Sequence, residues 1–237
     1  MKKGIRGARI EDITAACGLS KGAFYLHYSS KEALFSEVVG EFSQAMTRLV
    51  DQRMEAVERF FAERGQLVAS DVAERSDRYE SLLAMHTEAD LRTLELMWAY
   101  RDVMHVLMRG SQGTEFESLI WGMVDREVSR VSQDFQRLQR TGACRPDVPP
   151  AIFGSLIVGT YLLLAQQMSQ MQQKPDLAAW AGSLHRLIRE GSVPPEFFAS
   201  RMAAAKAPKA KTPKTSSRRP TKARALSRTR NTSRSGP

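Results

Sequence analysis

The chain has 237 residues, 42% hydrophobic and 26% charged, ordinary globular values that suit one large domain or a small one joined to a larger. Its net charge of +9 is unevenly placed: twelve of the 35 Lys and Arg, and no acid, lie in 201–237, leaving 23 bases against 26 acids in 1–200. The body is slightly acidic, which excludes reading the whole chain as a basic nucleic-acid binder on its isoelectric point. Two cysteines, Cys17 and Cys144, without a CxxC or a histidine at ligand spacing, exclude a disulfide framework and a zinc motif, and each reads as a small buried residue. MKKGIRGARIEDI has basic residues but no apolar stretch behind them, so it is no signal peptide, and a cytoplasmic location is expected.

In chain order, Ile10, Ile13 and Cys17 fall at i, i+3 and i+7 and predict a short amphipathic helix. Gly18 stands where a left-handed turn residue is needed, and Leu19 is expected to pack back under that turn. Ser20 is an N-cap for a second short helix over Lys21–Tyr28, with Phe24 and Tyr28 facing the first helix and Lys21, Ala23, Tyr25, Leu26 and His27 facing outward. Two short helices joined by a glycine turn match a helix-turn-helix. Ser29-x-x-Glu32 reads as a capping box opening a third helix, with Lys31 in its first turn, where a cation suits a phosphate better than the helix dipole.

From residue 36 to about 198 the chain reads as almost continuous helix, with no strand signal. Gly110–Gly113 and Thr141–Asp147 are the clearest loops. Pro149 and Pro150 open an apolar helix whose stretch Ala151–Ala165 is shorter than the roughly 20 residues a membrane span needs, so it is expected to be a buried helix. Lys174–Pro175–Asp176 opens the last long helix, with Leu177, Trp180, Leu184 and Leu187/Ile188 on one face and an end near Gly191, before Pro194 and Pro195. Helices packed on helices, an all-α fold, is the architecture this pattern supports.

The run from Ile13 to Phe35, ITAACGLSKGAFYLHYSSKEALF, resembles the DNA-binding signature of the TetR (tetracycline-repressor-like) family of bacterial regulators. Gly18, Ser20, Gly22, Tyr25, His27, Lys31, Glu32 and Leu34 stand at that pattern's positions over roughly residues 4–40. The resemblance implies that Lys21–Tyr28 enters the major groove. Tyr25, His27 and Lys31 would contact phosphates, Lys21 and Ala23 would lie nearest base edges, and Ser20 and Gly22 would complete the DNA-binding set. The physical reading agrees, since hydroxyl, imidazole and ammonium donors suit phosphates and small residues allow close approach to bases. Two departures stand out. Ala8 occupies a position where the family places a capping Thr or Ser, and only MKKGIRG precedes the motif, so the family's first helix is expected to be missing.

The remainder of a TetR-like chain is an effector-binding and dimerisation domain. No nucleophile elbow, P-loop, dinucleotide fingerprint or metal-ligating histidine pair is present, so no enzyme, metal or cofactor is expected. His86, His105 and His185 read as isolated surface or satisfied core histidines. Met97, Trp98, Arg101, Met104 and His105, with Trp121 on the next helix, describe an apolar pocket with a few polar anchors for an apolar or aromatic effector. The helix at 149–172 is apolar around much of its circumference, and Gly154, Ser155 and Gly159 would admit a close neighbour. Ile152, Leu156 and Leu163, with Leu177, Trp180 and Leu184, are therefore expected to form a homodimer interface. The expected domains are a helix-turn-helix domain at 1–45, a ligand-binding and dimerisation domain at 46–198, and a disordered basic tail at 199–237 touching phosphates. The expected function is a cytoplasmic, nucleoid-associated repressor that binds palindromic double-stranded operator DNA as a homodimer and is released by a small effector. Two alternatives are a chromatin-like, non-specific DNA binder acting through the tail, and a ligand-binding protein that has lost operator binding.

Overall fold

A computed structural model describes residues 4–193, which form ten helices and no strand. The basic tail expected at 199–237 and the stops at Pro194 and Pro195 lie outside the described residues. A single turn, α1 (Gly4–Gly7), precedes α2 (Ile10–Ala16), α3 (Lys21–His27) and the 34-residue α4 (Lys31–Arg64). Serine side chains set two of these starts: Ser20 Oγ accepts from the Ala23 amide at 3.1 Å and Ser30 Oγ from the Ala33 amide at 3.0 Å. The second corrects the capping-box reading, because the cap is Ser30 and Glu32 stands one position too early to reach back. The cap position of α2 is Arg9 rather than Ala8, and it makes no side-chain cap hydrogen bond.

The long middle stretch is more broken than its composition suggests. Gly65, at φ 74°, stops α4, and α5 (Ala69–Glu74) ends at Arg75, which adopts the left-handed conformation at φ 55°. Buried Asp71 holds this corner by accepting from the Val68 amide at 2.9 Å and the Ser76 hydroxyl at 2.8 Å, and by pairing with Arg78. Next come α6 (Asp77–Ala99), a break at Tyr100, and α7 (Arg101–Gly110). The expected loops then separate α8 (Glu115–Arg140), α9 (Pro150–Met168) and α10 (Leu177–Ser192), the last capped by Asp176.

Val39, Phe42, Leu94, Met104, Leu107 and Met168 form the most deeply buried part of the core, where α4, α6, α7 and α9 meet. A second cluster of Phe60, Leu67, Val72, Tyr79, Leu82, Ala143 and Val193 closes the far end. α9 packs on α8 through Gly154, where a side chain would strike Ser132 Oγ and the Val128 carbonyl oxygen, and through Phe135 stacked on Phe153 at 3.9 Å. Gly154 thus serves a contact within the chain, whereas Gly159 faces open space. The opposite side of α9 corrects the expectation of a buried helix: Ile152, Leu156 and Leu163 are exposed. By length and composition this helix could also cross a membrane.

α1 is bound to the body rather than trailing from it. Ile5 is buried in the main core, and a Cβ on Gly110 would come within 2.9 Å of Gly4 Cα, so the α1 and α7 backbones touch. Arg6 hydrogen-bonds the Gly113 carbonyl. Where the first helix was expected to be missing, one tightly seated turn is present.

Candidate nucleic-acid interface and cavity

The turn between α2 and α3 is built from Gly18 at φ 67° and a hydrogen bond from the Leu19 amide to the Thr14 carbonyl at 2.8 Å. Thr14, buried between the helices, satisfies its hydroxyl on the Ile10 carbonyl at 3.0 Å. Phe24 is the apolar anchor of α3, packed edge-on to Tyr25 at 5.5 Å. With that face pinned, Lys21, Gly22, Tyr25, Leu26 and His27 are exposed, and Leu26 reaches 82% exposure. Lys21 Nζ pairs with Glu11 Oε1 at 2.6 Å, which lowers the Glu11 carboxyl below its ordinary range and raises the lysine. Both groups are exposed, so the pair is worth little and is easily broken.

A cavity of about 300 Å³ lies between α4, α6, α8, α9 and α10, lined chiefly by apolar and aromatic side chains. One wall carries a buried polar cluster. Arg53 donates to Asp90 Oδ1 and to His86 Nδ1, each at 3.0 Å, and His185 Nδ1 lies 3.4 Å from Asp90 Oδ2. Since arginine only donates, His86 Nδ1 accepts and its ring carries the proton on Nε2. Burial, with the Arg53 charge adding to it, pushes the His86 pKa down to about 3. Burial alone would raise Asp90, but the His185 hydrogen bond and the Arg53 charge together hold it below the usual carboxylate range. The Tyr161 hydroxyl faces Asp90 without a well-formed hydrogen bond, and burial raises its pKa. Among the described residues no cluster of His, Cys, Asp or Glu is arranged to hold a metal.

Residues 1–38 match the family model for bacterial regulatory proteins of the tetR family. Over these residues the chain is similar to tetR-family regulators. A 55-residue stretch is 38% identical to the HTH-type transcriptional repressor DhaR of Mycobacterium sp. (strain GP1), covering 23% of this chain and 28% of that one. Over 33 residues it is 61% identical to the uncharacterized HTH-type transcriptional regulator YerO of Bacillus subtilis (strain 168), covering 14% of this chain and 11% of that one. The chain therefore matches under a third of the length of either relative. Among solved structures, native NalD, the secondary repressor of the MexAB-OprM multidrug efflux pump in Pseudomonas aeruginosa, aligns over 82% of this chain and 90% of its own. Its identity is 21% and its TM-score 0.48.

Within this TetR-type domain, Ser20, Lys21, Gly22, Ala23, Tyr25 and His27 lie together along α3, with Ala23 half-buried. Lys31 departs from its expected place as a phosphate donor. Its half-buried ammonium donates to the Arg6 and Ala8 carbonyls, each at 2.9 Å, tying α4 to the end of α1. Two smaller expectations fail nearby: Leu19 and Cys17 are exposed, because the tight turn projects both side chains outward. Cys144 is buried as expected, and burial pushes its thiol up to about 12.

The pocket expected around Trp98 and Arg101 is corrected. Met97 and Met104 line the cavity, but Trp98, Arg101, His105 and Trp121 do not. Arg101 lies over the Trp98 ring at 4.4 Å and donates to its carbonyl oxygen at 3.1 Å. His105 is 3.1 Å from the Ser169 hydroxyl, and Trp121 is 58% exposed. The polar cluster on the cavity wall, Arg53, His86, Asp90, Tyr161 and His185, was not expected as a site from the sequence. Only His86 and Asp90, four apart on α6, left a local trace. The interface set is corrected as well: Leu177 is 2% exposed and belongs to the chain's own core, while Trp180 and Leu184 are half-buried against it.

Proposed function

We propose that the chain is a ligand-responsive DNA-binding transcriptional repressor that binds a palindromic operator as a homodimer and leaves it when a small, largely apolar effector enters the cavity. The observation that carries this reading is α3: its inner face is fixed by Phe24, while Lys21, Tyr25, Leu26 and His27 are exposed along its outer side. Tyr25 and His27 serve phosphates, Lys21 and Ala23 lie nearest the base edges, and Ser20 and Gly22 set the approach of the helix. Lys31 acts at one remove, by positioning α4 against α1. The exposed α9 residues Ile152, Leu156 and Leu163 are the surface for a second copy, and they face a partner rather than a bilayer in this reading.

α4 supports a coupling between the two sites. It is one continuous helix whose N-terminus abuts α3 and whose middle, from Phe42 to Val57, lines the cavity. The division at 45 between a DNA-binding and a ligand-binding domain then falls within one rod. An effector that prefers a different tilt of α4 changes the spacing of the two α3 helices in the dimer and lowers operator affinity by its differential affinity for the two arrangements. Selecting genomic fragments on the protein and footprinting the winners tests this. The expected result is a protected two-fold site whose half-sites lie about one helical turn, ~34–36 Å, apart. Uniform protection without a preferred site contradicts it.

A further inference from the structure

The charges that line the cavity do not cancel among the described residues. Four arginines, Arg53, Arg130, Arg137 and Arg189, face three carboxylates, Asp90, Glu127 and Asp134. Arg53 is matched by Asp90 at 3.0 Å. Arg130 sits between Glu127 at 2.8 Å and Asp134 at 3.2 Å, and Arg137 shares Asp134 at 3.1 Å. Among the described residues Arg189 has only the exposed Glu190, outside the cavity lining, at 3.9 Å. The surplus cation is therefore Arg189, on α10 at the end closed by Tyr79, Leu138, Cys144 and Val193.

Two buried donors mark the same end. Arg189 Nε and Arg137 Nε are both shielded from solvent and have no hydrogen-bond partner among the described residues. A buried guanidinium N–H without an acceptor is costly, and a carboxylate is the acceptor whose planar geometry fits it. By contrast, the Arg53–Asp90 pole is closed on itself and carries no net charge, so it offers a ligand hydrogen bonds but no ion pair. Between the poles the wall is apolar, with Met54, Val57, Leu83, Val131, Phe135 and Ile157.

We propose that the effector is an amphipathic monoanion, a lipophilic carboxylate, with its carboxylate on Arg189 beside Arg137 and its apolar body along the cavity. This rests on the ligand-responsive reading and adds the ligand's chemical class. A single negative charge balances the surplus, whereas a dianion would leave one charge buried and unpaired.

The experiment compares decanoate and 2-naphthoate with their methyl esters on the full chain, by calorimetry at pH 7.5, where the acids are ionised. At least one acid is expected to bind at least tenfold tighter than its ester. Arg189→Gln is expected to abolish that preference while leaving ester affinity within about twofold, and Arg189→Lys to keep part of it. Arg137→Gln, with circular dichroism on every variant, guards against a single misfolded protein and is expected to weaken the acid alone. Equal affinity for acid and ester, no binding of either acid, or a preference that survives in a folded Arg189→Gln protein overturns the assignment. Operator affinity measured in the same samples separates the two readings. Esters that bind as well as acids and release DNA sink the carboxylate class but leave the ligand-responsive repressor standing. Acids that bind with the Arg189-dependent preference but leave DNA affinity unchanged support the class and sink the coupling.

Discussion

At the scale of single residues, the sequence pattern and the structure divide the lysines of the DNA-binding domain into two kinds. Lys21 is exposed and, among the described residues, pairs with Glu11; Lys31 is turned inward onto the Arg6 and Ala8 carbonyls. Lys31→Ala is therefore expected to lower thermal stability by about 1 kcal/mol, the typical worth of such a bond. Its effect on the salt dependence of DNA binding should be small. A calorimetric melt unchanged by this substitution, together with a flatter salt slope, would return Lys31 to the phosphates. The buried cluster makes a second prediction. The His86 pKa is near 3 in the folded chain against about 6.5 unfolded, so the unfolded state takes up a proton first as pH falls. Stability that is complete above pH 6.5 should then decline toward pH 3, with a slope of up to about 1.4 kcal/mol per pH unit. Asp90, held low, adds its own loss only below about pH 4, where it too protonates in the unfolded chain. His86→Asn, which keeps an acceptor near the Arg53 guanidinium, is expected to flatten the melting temperature between pH 6.5 and 4.5. A wild-type melting temperature constant over that range would show that His86 is not buried neutral.

At the scale of helices, what was legible in the sequence is what depends on neighbours along the chain. The α2–α3 turn follows from Gly18 and Ser20, the start of α9 from its prolines and that of α10 from Asp176, because each is decided within a few residues. The polar cluster was not legible, because Arg53, Asp90, Tyr161 and His185 come from four helices and meet only when those helices pack. The pocket expected near Trp98 failed for a related reason: Arg101 finds a local partner, the face of Trp98, before it can reach a cavity. Leu177 and Leu163 illustrate the same limit. Both stand on apolar stripes, yet one is sealed in the core and the other is 73% exposed. Their substitutions should differ accordingly. Leu163→Glu is expected to give monomers in analytical ultracentrifugation with melting little changed. Leu177→Ala is expected to cost about 2–5 kcal/mol, the usual range for a buried leucine, without a specific effect on assembly. A wild-type protein that sediments as a monomer at micromolar concentration would refute the interface.

At the scale of the whole molecule, α1 and α4 tie the DNA-binding helices to the body. Gly110 permits the α1–α7 contact, and a side chain there would collide with Gly4, so Gly110→Val is expected to weaken operator binding while leaving the cavity intact. The proposed function joins α3 as a reading helix, α4 as a continuous rod and the cavity as a ligand site, and it requires α3 to distinguish one DNA sequence from another. The most direct measurement is the ratio of affinities for the footprinted operator and a scrambled duplex of equal length, by fluorescence anisotropy at fixed salt, for the wild-type chain and the Lys21→Ala, Tyr25→Ala double variant. The wild type is expected to favour the operator by about 10³-fold or more, the lower end for specific binders. The double variant should lose much of that ratio through Lys21, at about 1–3 kcal/mol for a lost base contact, while the loss of Tyr25, a phosphate contact, weakens operator and scrambled DNA alike. A wild-type ratio near one, or a ratio unchanged in the double variant, would contradict the assignment of α3 as the reading helix.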